Sequence, residues 1–146
     1  MMTLTDNRID VLIRRLKNNQ ALSEFIFISA YPPRKTPNPI TKYTVAVENR
    51  EVSNKRFFIG NRVGFREKGY LEQVKLRLRV YAPSRTSGSA LLRASSMVMD
   101  AAEREDSEGW IRSFLLTGIG FDTASRTEYR DVILKLEIIT EEGTEQ

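Results

Sequence analysis

The amino-acid sequence predicts an α+β fold, in which a mostly antiparallel sheet carries an N-terminal helix and one longer helix on one face. Several segments alternate apolar and polar residues and follow one another across short polar turns, which is typical of antiparallel strands. Two other segments repeat apolar residues every three or four positions, as amphipathic helices do. A chain of 146 residues is most simply one domain, which we place at residues 1–140.

The composition argues against an enzyme. The chain contains neither cysteine nor histidine, which excludes disulfides and thiolate sites and removes the commonest general base and metal ligand. We find no phosphate-binding glycine loop and no nucleophile elbow. We therefore expect no reaction, no cofactor and no metal site. Because no apolar run approaches the length of a membrane span, and the first residues lack a signal-peptide pattern, we also expect no membrane partner.

Charge is unevenly distributed along the chain. Residues 1–85 contain 17 Lys and Arg against 7 Asp and Glu, whereas residues 86–146 contain 6 against 12. Such polarity is compatible with a nucleic-acid binder that has a basic face. It is equally compatible with a self-complementary subunit whose basic part meets the acidic part of a neighbour. A third interpretation is that both sets of charges are solvated or pair within one molecule.

The first third of the chain predicts a helix, a strand and an arm. Asp6 is a candidate N-cap for a helix that ends near "KNNQ" and whose apolar residues are Ile9, Leu12, Ile13 and Leu16. The apolar run "FIFISAY" predicts a strand over residues 25–31. Residues 32–41 hold four of the five prolines together with Arg34 and Lys35. This extended segment is either a basic docking arm or a plain surface connection.

The next segment predicts a strand pair and a loop. "KYTVAVENREV" alternates apolar and polar residues, with "ENRE" as a turn and "RFFIG" as a return strand. Residues 60–69 hold three glycines and the cations Arg62, Arg66 and Lys68, so we expect a flexible loop that contacts partners.

The strongest strand prediction is "EQVKLRLRVYAP", residues 72–83. Its apolar side is Val74, Leu76, Leu78 and Val80, and its polar side carries Lys75, Arg77 and Arg79 at intervals of about 7 Å. Three clustered cations suit phosphate neutralisation, but Tyr81 is the only aromatic residue that shares their side. The final strand offers Asp131, Lys135 and Glu137 on its polar side. If it lies beside this strand, some cations face acids across the sheet, within one chain or between subunits.

A second helix is predicted over residues 88–104, capped by Ser87 or Thr86. Its apolar face is rich in small residues and suits close packing on a sheet: Leu91, Ala94, Val98, Ala101 and Ala102. Its C-terminal end is acidic, through Asp100, Glu103, Glu105, Asp106 and Glu108, which opposes the helix dipole. These acids are either interface residues or a solvated end; a cation site there lacks the EF-hand pattern.

Two strands complete the chain. Residues 110–122 form the first, with Gly118 and Gly120 indicating a bend or bulge. The second covers residues 129–139, and an acidic tail at 141–146 is expected to be disordered.

Residues 40–140 resemble the tail terminator and tail-completion proteins of tailed bacteriophages and related contractile particles. The resemblance is a pattern of elements whose most specific part is "LRVYAP" followed by "SGSALLRAS", then a strand and a last strand "YRDVILKLEI". "KYTVAVENREV" and "FFIG" match the preceding strand pair and loop.

The resemblance implies a small α+β subunit in a hexameric ring that caps the finished tail tube and joins it to the head connector. Its implied partners are a second copy of the chain, the tail tube protein, the connector and, in a contractile particle, the last sheath layer. Its implied location is the head-proximal end of the virion tail, after assembly in the bacterial cytoplasm. A head–tail adaptor is the alternative within this class, and a basic nucleic-acid-binding module is the alternative outside it.

DNA passes through the lumen of such rings, where a strong cationic grip would hinder sliding. We therefore expect the cations to contact neighbouring subunits or partners instead. The candidate contact residues are Arg34, Lys35, Arg62, Arg66, Lys68, Lys75, Arg77 and Arg79, with Asp100, Glu103, Glu105 and Asp106 as acidic counterparts.

Overall fold

The computed structural model describes residues 4–29, 40–62, 65–83, 88–123 and 126–141. The two helices are α1 (Leu4–Asn18) and α2 (Gly88–Glu105), and a short 3-10 turn covers Gln20–Leu22. The strands are β1 (Ile26–Ser29), β2 (Thr44–Arg62), β3 (Phe65–Tyr81), β4 (Ile111–Asp122) and β5 (Thr127–Glu141). The predicted α+β class is confirmed.

The five strands form one sheet in the order β1-β2-β3-β5-β4. All neighbouring strands are antiparallel except β1, which runs parallel to β2. Strand β5 lies between β3 and β4, because the chain leaves β3 through α2, forms β4 at the edge and then turns back. One row of paired residues crosses the whole sheet: Ile26, Thr44, Tyr81, Tyr129 and Gly120.

Both helices cover one face of this sheet and form the main core with it. The alternation of β3 behaves as predicted, since Val74, Leu76, Leu78 and Val80 are all buried against the helices. On α2, the small residues Ala94, Ala101 and Ala102 are at most 3% exposed. Small side chains allow the helix to lie close to the sheet, as the sequence indicated.

The opposite face of the sheet, here called the outer face, has a smaller apolar cluster at one end. Ile40, Ala46 and Tyr81 are buried there, with Ile28 and Tyr129 packed against them. Because β1 and β2 are parallel, the chain between them must form a crossover connection. Ile40, shortly before the start of β2, is only 1% exposed. The last part of the predicted arm is therefore a core position; residues 32–39, including Arg34 and Lys35, lie outside the described residues.

The prediction of a flexible loop over residues 60–69 is wrong. Strands β2 and β3 remain paired out to Arg62 and Phe65, so that all but the tip of this segment is a β-hairpin. The register shifts between Phe58 and Gly60, which is the bulge that a glycine inside a strand often marks. Gly60, Gly69 and the three cations are compatible with a strand because each of them faces a partner across the hairpin.

The predicted turn at "ENRE" is also wrong, since β2 continues through it with a register shift between Val47 and Arg50. Helix α1 begins at Leu4, two residues before the predicted cap Asp6. Strand β5 includes Glu141, the first residue of the predicted tail, and the rest of that tail lies outside the described residues. The bulge predicted near Gly118 is confirmed by a register shift between Leu116 and Ile119.

Candidate interaction surface

The charged row on β3 lies on the outer face, where it meets acids of β5. Arg79 is directly opposite Asp131 in register, and its Nε and Nη2 donate to the two carboxylate oxygens at 2.9 and 3.2 Å. Arg77 Nε is 3.7 Å from the same carboxylate. Charge pairing across the sheet, which the sequence suggested, is therefore confirmed within one chain.

This ionic cluster is largely enclosed. Asp131 is 4% exposed, and the guanidinium carbon of Arg79 lies 3.8 Å from the ring centroid of Tyr129. The hydrogen bonds that Arg79 donates to Asp131 raise the pKa of Arg79 above its ordinary value, although burial opposes this shift. Arg79 and Arg77 thus have a partner in their own chain, and a docking contact would have to compete with it.

Lys75 occupies a different environment, a cleft between β3, β5 and β4. It stands opposite Lys135 in register, and Arg112 lines the same cleft, whose volume is about 610 Å³. Glu137 supplies the opposing charge and pairs with Arg112 at 3.2 Å. Like charges directly opposite each other are unfavourable in an antiparallel pair. The cleft is therefore a candidate site for an anionic group, and Arg112 was not singled out by the sequence.

The cations predicted on the 60–69 segment lie on the β2–β3 hairpin. Among the described residues, β5 pairs with β3 as far as Gly69, and beyond that point the described part of the sheet is the two-stranded β2–β3 ribbon. Arg62, Arg66 and Lys68 belong to this ribbon. The structure thus brings these three together at one end of the sheet and places Lys75 further along it.

The acidic end of α2 is mostly used inside the chain. Both oxygens of Asp106 accept backbone N–H groups, from Trp110 at 2.9 Å and from Ile111 at 2.8 Å, and so fix the turn into β4. Glu105 accepts a hydrogen bond from the side chain of Asn19 at 2.8 Å. Asp100 and Glu103 are exposed. Of the four predicted acidic counterparts, these two are the more accessible.

Glu108, the fifth acid of this region, lies in the turn after α2 and pairs with Arg15 of α1. Arg15 donates to its two oxygens at 2.6 and 2.9 Å. These hydrogen bonds hold the pKa of the Glu108 carboxyl at about 2. The contact joins α1 to a turn that is far away in sequence, and no local pattern around Arg15 predicted it.

Sequence reasoning did not identify which large apolar side chains remain exposed. Among the described residues, the large hydrophobic side chains that remain exposed are Ile26, Leu92, Leu115, Ile119 and Phe121. All except Leu92 lie on β1 or β4, the two edge strands of the sheet. The alternation of apolar and polar residues predicted these strands. It contains no information on the strand order, which decides which strands lie at the edges of the sheet.

Within the described ranges, no three His, Cys, Asp or Glu side chains are grouped so that they could hold a metal ion. Across the same ranges, no helix has both the length and the apolar character needed to span a membrane. Comparison with protein-family models found no match, and comparison with curated proteins found no significant match.

Proposed function

We propose that this chain is a tail terminator of a tailed bacteriophage or a related contractile particle. It is a structural subunit that performs no reaction. Six copies form a ring on the last ring of the tail tube, occupy the position of the next tube ring and offer a different upper surface to the head connector. In a contractile particle the same ring contacts the last sheath layer.

The observation that supports the proposal is the unit β3–α2–β4–β5. It holds the most specific part of the resemblance, "LRVYAP" and "SGSALLRAS" followed by two strands, and its three strands are neighbours in the sheet with α2 on one face. The order of these elements along the chain is the one on which the resemblance rests. The stop of tube growth would then be steric, because the upper surface of the ring differs from that of a tube ring.

Two further features favour a ring subunit. A sheet with two open edges can join copies head to tail, and such heterologous contacts generate rings when the rotation closes. In the described part of the sheet, the ribbon beyond Gly69 extends past the other strands and carries Arg62, Arg66 and Lys68, where it can reach a neighbour or the tube. The internal pairing of Arg79 and Arg77 with Asp131 reduces the positive charge available to hold DNA in a lumen.

The proposal is tested by tail length. In particles assembled without this chain, we expect tail tubes longer than those of complete particles, because nothing stops their polymerisation. Electron microscopy of negatively stained tails measures this length, and supply of the intact chain should restore it. Tails of normal length that fail to join heads would instead identify a head–tail adaptor.

A nucleic-acid-binding module is the second candidate, and the cleft on the outer face favours it. Lys75, Lys135 and Arg112 converge there on a space large enough for a phosphate group. Glu137 in the same cleft, and the pairing of Arg77 and Arg79 with Asp131, count against a strong phosphate-binding surface.

A further inference from the structure

Within the described residues, both edge strands of the sheet carry exposed apolar side chains. Ile26 on β1 is 40% exposed, and Leu115, Ile119 and Phe121 on β4 are 53, 46 and 59% exposed. Neither Ile26–Ser29 nor residues 113–121 include a charged residue or a proline. Soluble monomers blunt a sheet edge with charges, prolines, bulges, short strands or a covering segment. Strand β1 is four residues long, and β4 has two register shifts and the charged residues Arg112 and Asp122 near its ends. These devices leave the apolar side chains of both edges exposed, and burial of those side chains by a further strand would be favourable.

The strand directions allow these two edges to pair with each other. Because β2, β3, β5 and β4 alternate in direction and β1 is parallel to β2, strand β4 runs antiparallel to β1. A second copy placed beside β4 in the same orientation would therefore present its β1 antiparallel to β4. The row that crosses the sheet places Gly120 and Ile26 at the same level on opposite edges, so the ladder can continue without a shift along the strands.

A hollow beside the start of β1 fits the most exposed of these side chains. Its volume is about 430 Å³, and Phe25, Tyr43 and Pro83 are among its lining residues. The rings of Phe25 and Tyr43 stack at 5.2 Å between centroids. Phe25 and Tyr43 come directly before Ile26 and Thr44, which belong to the row that crosses the sheet. Phe121 comes directly after Gly120 of the same row, on a strand that runs in the opposite direction. All three aromatic residues therefore lie on the same side of the row, one position away from it.

We infer that β4 of one copy pairs with β1 of a second copy and that Phe121 enters the hollow formed by Phe25, Tyr43 and Pro83. The hollow is also lined by Glu24 and Lys42, so Phe121 would pack on its aromatic part. A buried aromatic side chain is the typical anchor of a protein interface. The contact joins different surfaces of the two copies, so it propagates head to tail. The closure of this contact into a ring rests on the proposed function. The evidence for the contact itself comes from the edge strands and the hollow alone.

A two-fold pairing of β4 with β4 is the competing arrangement. It would cover Leu115, Ile119 and Phe121, but it would leave Ile26 exposed and the hollow empty. The head-to-tail arrangement covers both edges with one contact, which is why the observations favour it.

The first test compares two exposed positions. Phe121→Arg should weaken self-association at least about 30-fold, because the anchor of the contact is lost. Leu92→Arg is the matched control: Leu92 is 43% exposed on α2 and belongs to neither edge strand, so its substitution should leave association unchanged. Sedimentation equilibrium measures both constants, and thermal unfolding checks that each variant is folded. Equal association of wild type and Phe121→Arg, or a wild type that stays monomeric at about 1 mM, would overturn the inference.

The second test identifies the partner strand. Ile26→Arg should also weaken self-association, because it places a charge on the β1 edge. A mixture of Ile26→Arg and Phe121→Arg should form one-to-one heterodimers, since the intact β4 of the first variant can pair with the intact β1 of the second. Dimers of Ile26→Arg alone would indicate β4–β4 pairing and would overturn the head-to-tail contact.

The same variants separate this inference from the proposed function. If the wild type limits tail length and Phe121→Arg limits it equally well, the contact is refuted and the terminator function stands. If the variants behave as expected in solution while the wild type leaves tail length unchanged, the contact stands and the terminator function is refuted.

Discussion

Replacement of Asp131 by alanine is expected to destabilise the chain by about 2–3 kcal/mol. Removal of one partner from a buried ion pair commonly costs about 3–5 kcal/mol, because the other charge is left without a partner. We expect a smaller loss here, since the side chains of Arg79 and Arg77 are 23 and 35% exposed and water can solvate them in part. Urea unfolding followed by circular dichroism measures the change.

Two control variants test whether the loss of stability in Asp131→Ala comes from the charge that is left unpaired. Arg77→Gln removes a longer, more exposed contact of 3.7 Å and should cost less than about 1 kcal/mol. The double replacement Arg79→Met with Asp131→Leu should be less destabilising than Asp131→Ala alone, because no buried charge is left unpaired. An Asp131→Ala variant as stable as Arg77→Gln would contradict a structural role for the cluster.

Gly120→Ala is expected to destabilise the chain by about 1–3 kcal/mol, the usual cost of overpacking. A Cβ atom at Gly120 would lie 2.5 Å from Cζ of Tyr129 and 2.7 Å from its hydroxyl oxygen. The Tyr129 ring cannot move away freely, because it stacks on the Arg79 guanidinium and packs beside Tyr81. The loss should appear as a lower urea midpoint with an unchanged slope.

Two comparisons make the Gly120 prediction specific. Gly118→Ala should be nearly neutral, because no atom lies within 4 Å of a Cβ built at that position. Tyr129→Leu should reduce the additional cost of Gly120→Ala, since a shorter side chain leaves room for the methyl group. Equal effects of the two glycine substitutions in the wild-type background would refute the close contact.

The sequence predicted the elements whose pattern is local. The alternation of Val74, Leu76, Leu78 and Val80 with three cations identified the buried and outer faces of β3 correctly. The small residues of α2 likewise identified the face that packs on the sheet. Both patterns repeat within one element, so that burial on one side imposes them directly.

Other features depend on contacts between distant segments. Gly60 and its neighbouring cations read as a loop, because the pairing of β2 with β3 that holds them is not visible in either segment alone. The parallel pairing of β1 depends on the crossover that brings Ile40 over the outer face. The candidate contact of Phe121 requires knowledge of which strands are edges.

For the charged residues too, the sequence predicted the side of the strand, whereas their contacts depend on distant segments. The sequence placed Asp131 on the polar side of the last strand, and strand order alone decided that it faces Arg79. Asp106 was expected among the acidic counterparts of an interface, but the reversal of the chain after α2 directs its carboxylate to two backbone N–H groups. Lys75 lies on the polar side of β3, as predicted, and its register partner is Lys135 and not an acid.

The measurement that tests the ring most directly is native mass spectrometry of the purified chain at physiological salt, with and without isolated tail tubes. The account predicts a hexamer, either in solution or assembled only on tube ends. A monomer that does not bind tube ends and instead forms a complex with DNA would contradict the proposed ring. The first residues to replace would then be Lys75, Lys135 and Arg112.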